Sequence, residues 1–319
     1  MLARLLVAIA LFAVLLPAAP AQATQTSPSP SALPEELVLS GDNIITVWLG
    51  GVPVRLEVSS DSFGPPVINS EFAVQLQLVA ETPRGWRFGP KVVNGVSALQ
   101  SLDFGDGVPV AMTVSWAERF ASRKAEGVIG VHNLPYARVT FILGPASEGE
   151  ILHRFPMKRS GGEYDTRLGT EVPVGKRQLM MVFAPGRAEN LITAPTANFI
   201  ATHHEGGFEP GSDGIAVMNF GVERPTRIMR IAQPIELGDL LVDRFAVRIE
   251  DYGDPKRVGE IGENDPRFEK GQILVSRRKG RGSPDLLTRL GRDQIMHCSS
   301  LTYDLAGAEI RLSCSAQGE

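Results

Sequence analysis

One stretch of residues occurs twice, and it constrains this chain more than any other feature. Residues 51–69 (GVPVRLEVSSDSFGPPVIN) lie on residues 175–193 (GKRQLMMVFAPGRAENLIT) without a gap. Gly51 falls on Gly175, Val58 on Val182, Val67 and Ile68 on Leu191 and Ile192, and Ala73 on Ala197. A repeat at so large an offset argues for two related halves, because solenoids repeat every ~20–50 residues. The match returns near the end of each half. Val128, Ile129 and Gly130 correspond to the region of Leu290 and Gly291, Leu134 to Ile295, and, with one extra residue, 139–141 to 301–303. The interval between these landmarks is longer in the second half, which places an insertion in the charged stretch 251–285. Asp254-Pro255, Asn264-Asp265-Pro266 and the basic run 277–281 are loop chemistry there.

Short β-type runs dominate the rest. Residues 43–49, 52–58, 108–114, 138–143, 179–183, 245–249 and 273–275 are rich in β-branched, aliphatic and aromatic side chains and are punctuated by Gly, Pro, Asn and Asp. Helices are expected only at 70–79 and 194–202, each following one copy of the doubled segment. The fold class is therefore all-β with short helices.

The N-terminus reads as a signal peptide over 1–23. Arg4 precedes an apolar run at 5–16, and Ala21-Gln22-Ala23 is a small-x-small cleavage site. The apolar run is shorter than the ~20 residues a spanning helix needs, so the mature chain is expected to be exported without a membrane span. A Pro- and Ser-rich leader over 24–37 is expected to be disordered. Net charge is −4 and dispersed, with no basic stripe of the kind that binds nucleic acid. Both cysteines, Cys298 and Cys314, flank a strand-turn-strand pattern centred near Ala306. A hairpin in which facing positions sum to 612 sets them opposite each other, about 4.5–5.5 Å apart at Cα, within bridging range. A disulfide is expected, with two buried thiols as the alternative.

The order of these pieces resembles the pepsin and retropepsin superfamily of aspartic proteases. Each lobe or subunit of that family has a strand entering a tight loop with an Asp-Thr/Ser-Gly triplet, then a short apolar run. An apolar-apolar-Gly motif and a closing hairpin follow. The resemblance rests on order, doubling and spacing more than on any single motif. It implies two homologous β-barrel lobes with a cleft between them. Here those would be an N-terminal lobe at 38–143, a linker at 144–162 and a C-terminal lobe at 163–319. Hairpin flaps over the cleft are expected at 93–110, with Trp86 or Trp116 nearby, and at 215–222.

The family's chemistry needs two carboxylates about 3 Å apart that share one proton. One form activates a water and the other donates to the substrate carbonyl. The Ser or Thr beside each Asp locks the two loops together. In the gap-free match the triplet positions hold Ser60-Asp61-Ser62 and Ala184-Pro185-Gly186. The second copy has no carboxylate, and Pro185 has neither an N–H nor a hydroxyl for the lock. Asp61 is the one catalytic candidate, with Glu189 too far along the second loop to serve as its partner. A serine hydrolase is not indicated, since Ser60 and Ser62 have no evident His partner. His203-His204-Glu205, read as a strand or loop, point to opposite faces and do not form a metal set; His132 reads as packing or surface. No metal or cofactor is called for.

Three functions follow from this reading. The first is a pseudoprotease that binds an extended peptide or envelope protein in its cleft, monomeric, and periplasmic rather than extracellular. The second is an active endopeptidase using Asp61. The third is an envelope scaffold whose cleft is filled by its own side chains.

Overall fold

A computed structural model describes residues 33–249 and 286–315. The expected signal peptide, the leader up to residue 32, the insertion at 251–285, its basic run and the strand expected at 273–275 lie outside the described residues. The described chain is mostly β, in three sheets with two α-helices. A five-stranded sheet contains β1 (Glu36–Leu39), β9 (Arg138–Ile142), β10 (Ile151–Pro156), β19 (Cys298–Asp304) and β20 (Glu309–Cys314). A seven-stranded sheet contains β2 (Ile44–Leu49), β3 (Val52–Ser59), β4 (Val67–Asn69), β5 (Thr82–Phe88), β6 (Lys91–Asp103), β7 (Val110–Ala117) and β8 (Gly127–Gly130). An eight-stranded sheet contains β11 (Lys158–Ser160), β12 (Arg167–Val174), β13 (Arg177–Phe183), β14 (Leu191–Thr193), β15 (Gly206–Val217), β16 (Glu223–Leu237), β17 (Leu240–Arg248) and β18 (Leu287–Leu290).

The strand patterns explain their places. In β3, Val54, Leu56 and Val58 are buried while Pro53 and Arg55 are exposed, the alternation of a strand with one face on the core. In β13 the run from Leu179 to Phe183 is buried at every position, as a strand covered on both faces must be. One core joins the sheets, with Leu56, Ile129, Phe141, Phe183, Ile192 and Tyr303 among its fully buried side chains.

The seven- and eight-stranded sheets share one connectivity. β3 pairs parallel with β8, β8 antiparallel with β4, and β4 parallel with β7. In the other sheet β13 pairs parallel with β18, β18 antiparallel with β14, and β14 parallel with β17. α1 (Ser70–Gln75) follows β4 directly and α2 (Ala194–His204) follows β14 directly, as the sequence repeat implies. Residues 249–286 join β17 to β18 where only 118–126 join β7 to β8, so the second half's extra length falls where the charged stretch lies.

The pairing corrects the gap-free match by one residue. Val67 faces Val128 and Leu191 faces Arg289, so Ile129 and Leu290 are equivalent. Val58 lies beside Ile129 and Phe183 beside Leu290, which makes Val58 equivalent to Phe183 rather than to Val182. The turns agree: Gly50 (φ 58°) takes the place of Gly175 (φ 55°), not Gly51. The span from Val58 to Val67 is therefore one residue longer than its counterpart from Phe183 to Leu191.

In the five-stranded sheet β9 and β19 run antiparallel with Thr140 facing Thr302, their Oγ1 atoms 2.7 Å apart. These are the central residues of the 139–141 and 301–303 match. Cys298 and Cys314 face each other in the β19–β20 hairpin and are joined by a disulfide. The register differs from the expected one. Leu301 faces Leu312, and an irregularity between Cys298 and Ser300 restores the cysteine pairing. Two boundaries also shift. The expected leader ends inside β1, which runs parallel to β9 and buries Leu39. The expected linker contains β10, paired with β20, and β11, paired with β12. Among the described residues no helix is long and apolar enough to cross a membrane.

Candidate functional site

The two halves meet at the loops that follow β3 and β13. In the observed register Ser59 corresponds to Ala184, Ser60 to Pro185 and Asp61 to Gly186. Each loop passes close to the glycine that follows the pair Val128-Ile129 or Arg289-Leu290. A Cβ on Gly291 would lie 2.4 Å from the Ala188 carbonyl oxygen, so only glycine fits there. Backbone N–H groups of Arg292 and Asp293 donate to the Arg187 and Ala188 carbonyls at 2.7 and 3.0 Å, which fixes the second loop against the end of β18. Val128, Ile129, Gly130 and Leu290 thus serve as strand positions that hold the loops.

Asp61 sits where the halves touch. Ser59 Oγ donates to its Oδ1 at 2.9 Å. Arg187 Nε donates to its Oδ2 at 2.7 Å, and Arg289 Nε lies 3.6 Å from the same oxygen. The side chains of Asp61, Arg187 and Arg289 are only 14 %, 15 % and 12 % exposed. Burial opposes ionisation of Asp61, but the Arg187 and Arg289 guanidiniums and two hydrogen bonds outweigh it and hold the carboxyl below its usual range. Burial pushes Arg289 down to about 9; the charges of Arg187, Arg248 and Arg167 add to this and Asp61 opposes it. Arg187 also donates to the Val217 carbonyl at 2.9 Å and to Asn219 Oδ1 at 3.0 Å, tying Asp61 to the end of β15. Ser60 Oγ, buried, donates to the Phe183 carbonyl at 2.7 Å, a hydrogen bond between the halves.

Two hairpins meet beside this centre. The first, β5–β6, begins earlier than the expected 93–110 and carries Trp86. The second, β15–β16, carries Phe220 in its connecting turn. The Trp86 and Phe220 rings are 4.8 Å apart at their centroids, and Phe88 lies 6.2 Å from Phe220. Val67, Met218, Val222 and Ile228 complete a small apolar core there, separate from the main one. Two cavities open beside this contact and share Met218 in their walls. One, of about 470 Å³, is lined by Ser59, Asp61, Arg187, Glu189 and Val217. The other, of about 350 Å³, is lined by Phe63, Trp86, Tyr164 and several arginines.

The remaining sequence candidates fall as follows. Ser62 is buried in the first loop, and its carbonyl lies beside Gly130. The Pro185 carbonyl accepts from Arg292 Nε at 3.3 Å. Glu189 pairs with Arg244 at 3.1 Å. His132 Nε2 lies 2.8 Å from the Gly64 carbonyl, and burial lowers its pKa. His203 and His204 end α2 rather than lying in a strand or loop, and both hydrogen-bond backbone carbonyls. His297 with Cys298 and Cys314 is the one compact group of metal-type ligands among the described residues, but its cysteines are in the disulfide and supply no thiolate. Sequence reasoning missed Ser59, Arg187 and Arg289. Arg289 had a detectable signal: a charged residue inside the strand Leu287–Leu290 needs a buried acid.

The chemistry of this arrangement is that of a clamp. An ionised carboxylate held by guanidinium is a poor proton donor, and each oxygen of Asp61 already accepts a hydrogen bond. Compared with known proteins, the chain matches no family model and no curated protein.

Proposed function

We propose that this chain is an exported pseudoprotease of the pepsin/retropepsin type, whose interlobe cleft holds an extended peptide or envelope-protein segment without cleaving it. One observation carries the reading: the charged partners of Asp61 are Arg187 and Arg289, where the family's mechanism requires a second carboxylate. If Ala184 keeps the acid position that the sequence match assigns it, its counterpart in the observed register is Ser59, and neither carries an acid. Ser60 then stands at the hydroxyl position, and its bond to the Phe183 carbonyl corresponds to half of the family's lock. Pro185 supplies no reciprocal half. The doubled connectivity of the two large sheets supports two homologous lobes, and the disulfide suits an oxidising compartment such as a periplasm. A cleft of this kind binds an extended chain through backbone pairing and side-chain pockets, neither of which needs the carboxylates.

The test is an assay of purified mature protein on unstructured peptides across acid pH. The expected result is no cleavage, with Asp61→Asn indistinguishable from the parent. Cleavage that Asp61→Asn abolishes, with the variant shown by circular dichroism to remain folded, would establish instead the endopeptidase reading, which the Asp61 contacts oppose.

A scaffold role is the second reading, and the Trp86–Phe220 contact favours it because side chains fill the middle of the cleft. Phe220→Ala separates the two. If the cleft binds peptides, the variant binds them at least as tightly as the parent. If the contact only joins the lobes, the variant loses stability, by about 3 kcal/mol for a buried Phe, and peptide binding is absent in both.

A further inference from the structure

Strand β15 lies at the edge of the eight-stranded sheet, and among the described residues no strand pairs with its outer side. Its last three residues, Ile215-Ala216-Val217, line the cavity of about 470 Å³ beside Asp61. The ladder to β16 decides which backbone groups reach that edge. The Met218 N–H donates to the Val222 carbonyl at 2.7 Å, so these two form a hydrogen-bonded pair at the turn. Bonded and non-bonded pairs alternate in an antiparallel ladder, which makes Val217–Glu223 and Ile215–Pro225 non-bonded. Pro225 has no N–H, and its carbonyl accepts from the Ile249 N–H at 3.2 Å on the side away from β15. Ile215 and Val217 therefore turn their N–H and C=O groups to the outer edge, where Arg187 donates to the Val217 carbonyl. Sheet edges are ordinarily guarded by charge, proline or bulges. The first part of β15 has all three, in Glu209, Pro210 and the irregularity between Phe208 and Asp213. Residues 214–217 have none, and Ile215 and Val217 are 68 % and 58 % exposed. Charge in the same cavity selects the occupant. Glu57, Asp61 and Glu189 line it with one cation, Arg187. Arg187 is committed to Asp61, and Glu189 pairs with Arg244. Glu57 accepts from Ser122 Oγ at 2.6 Å, and no described cation lies within ion-pair distance of it.

We propose that the outer edge of β15 takes up an extended basic peptide as an added strand, with alternate apolar side chains over Ile215 and Val217 and a lysine or arginine against Glu57. Main-chain hydrogen bonds to the edge supply affinity, and the charge-assisted contact with Glu57 supplies selectivity. A peptide as the occupant rests on the pseudoprotease reading; the unguarded strand edge does not.

The mature chain is titrated calorimetrically against a hexapeptide alternating Val and Lys and against its Val/Gln counterpart. The proteins are the parent, Ile215→Pro and Glu57→Gln, each variant checked for folding by circular dichroism. Ile215→Pro removes an N–H that the β15–β16 ladder does not use, and Glu57→Gln keeps an acceptor for Ser122. The Lys peptide is expected to bind the parent, and to bind about ten-fold more weakly when either Glu57 or the lysines are replaced by Gln. Ile215→Pro is expected to weaken both peptides by a similar factor, and rising salt to weaken only the Lys peptide. If Ile215→Pro does not fold, Val/Lys peptides N-methylated at odd or at even residues report the same pairing, one of the two losing its binding. Peptide binding that neither Ile215→Pro, or N-methylation in its place, nor Glu57→Gln alters overturns the β15 site and leaves the cleft reading intact. No binding of either peptide to the parent at low salt overturns both. A dimer of the parent, seen by analytical ultracentrifugation and lost in Ile215→Pro, gives the edge to a second copy of the chain and overturns the peptide as its occupant.

Discussion

Asp61 illustrates how one side chain can look catalytic in a sequence and stand between cations in the fold. Its neighbours in the chain, Ser60 and Ser62, suggest an acid in a tight loop. Its neighbours in space are Ser59 Oγ and two guanidiniums. Removing one partner of a buried ion pair leaves the other charge uncompensated, which costs about 3–5 kcal/mol. Asp61→Asn is therefore expected to lower the unfolding free energy toward the lower end of that range, read by urea denaturation at neutral pH. The reason Arg187 and Arg289 were not legible lies in distance along the chain. Arg187 lies in a loop more than a hundred positions away, and Arg289 belongs to a strand reached only after the second half's long connection. The off-by-one register has an equally local cause. Gly50 and Gly51 are both glycine, so a gap-free match lands on the second when the turn uses the first.

At the scale of elements, strand β8 and its counterpart β18 organise each half. Each lies between the strand that enters the loop and the strand that leaves it, so the two residues before the glycine fix both sides of the loop at once. This is why the doubled apolar runs and the two glycines were readable from the sequence, while the intervening strands β12, β15 and β16 were not: Gly, Pro, Asp and Arg interrupt their alternation. The loops themselves are joined by Ser60. Ser60→Ala is expected to cost about 1 kcal/mol, the net worth of one hydrogen bond, with somewhat more if the Phe183 carbonyl finds no water. Thermal denaturation of the variant checks this. The β19–β20 hairpin carries the disulfide across a loop with a sequence separation of 16. Chain entropy for a loop of that size gives about 3 kcal/mol. The double variant Cys298→Ser with Cys314→Ser is expected to lose roughly that amount, in parallel with the parent under reductant. No difference between oxidised and reduced parent protein would remove the disulfide from the account of stability.

The described residues combine two similarly wired sheets, a third sheet built from the ends of both halves, and a contact between two hairpins through Trp86 and Phe220. The all-β class, the doubling and the terminal disulfide were legible because each depends on local pattern or on residues close in sequence. The charge arrangement at the junction was not, because it depends on how the halves dock. The central claim is that this junction holds one ionised acid among guanidiniums rather than two acids sharing a proton. A group whose native pKa is depressed stabilises the fold above its unfolded pKa and loses that contribution as pH falls through the native value. Carboxyl-carbon NMR titration of Asp61, assigned by comparison with Asp61→Asn, tests this most directly. A single step below the ordinary carboxylate range is expected, coincident with loss of stability in acid. Two coupled steps, one displaced above that range and shared with a second carboxyl group, would contradict it.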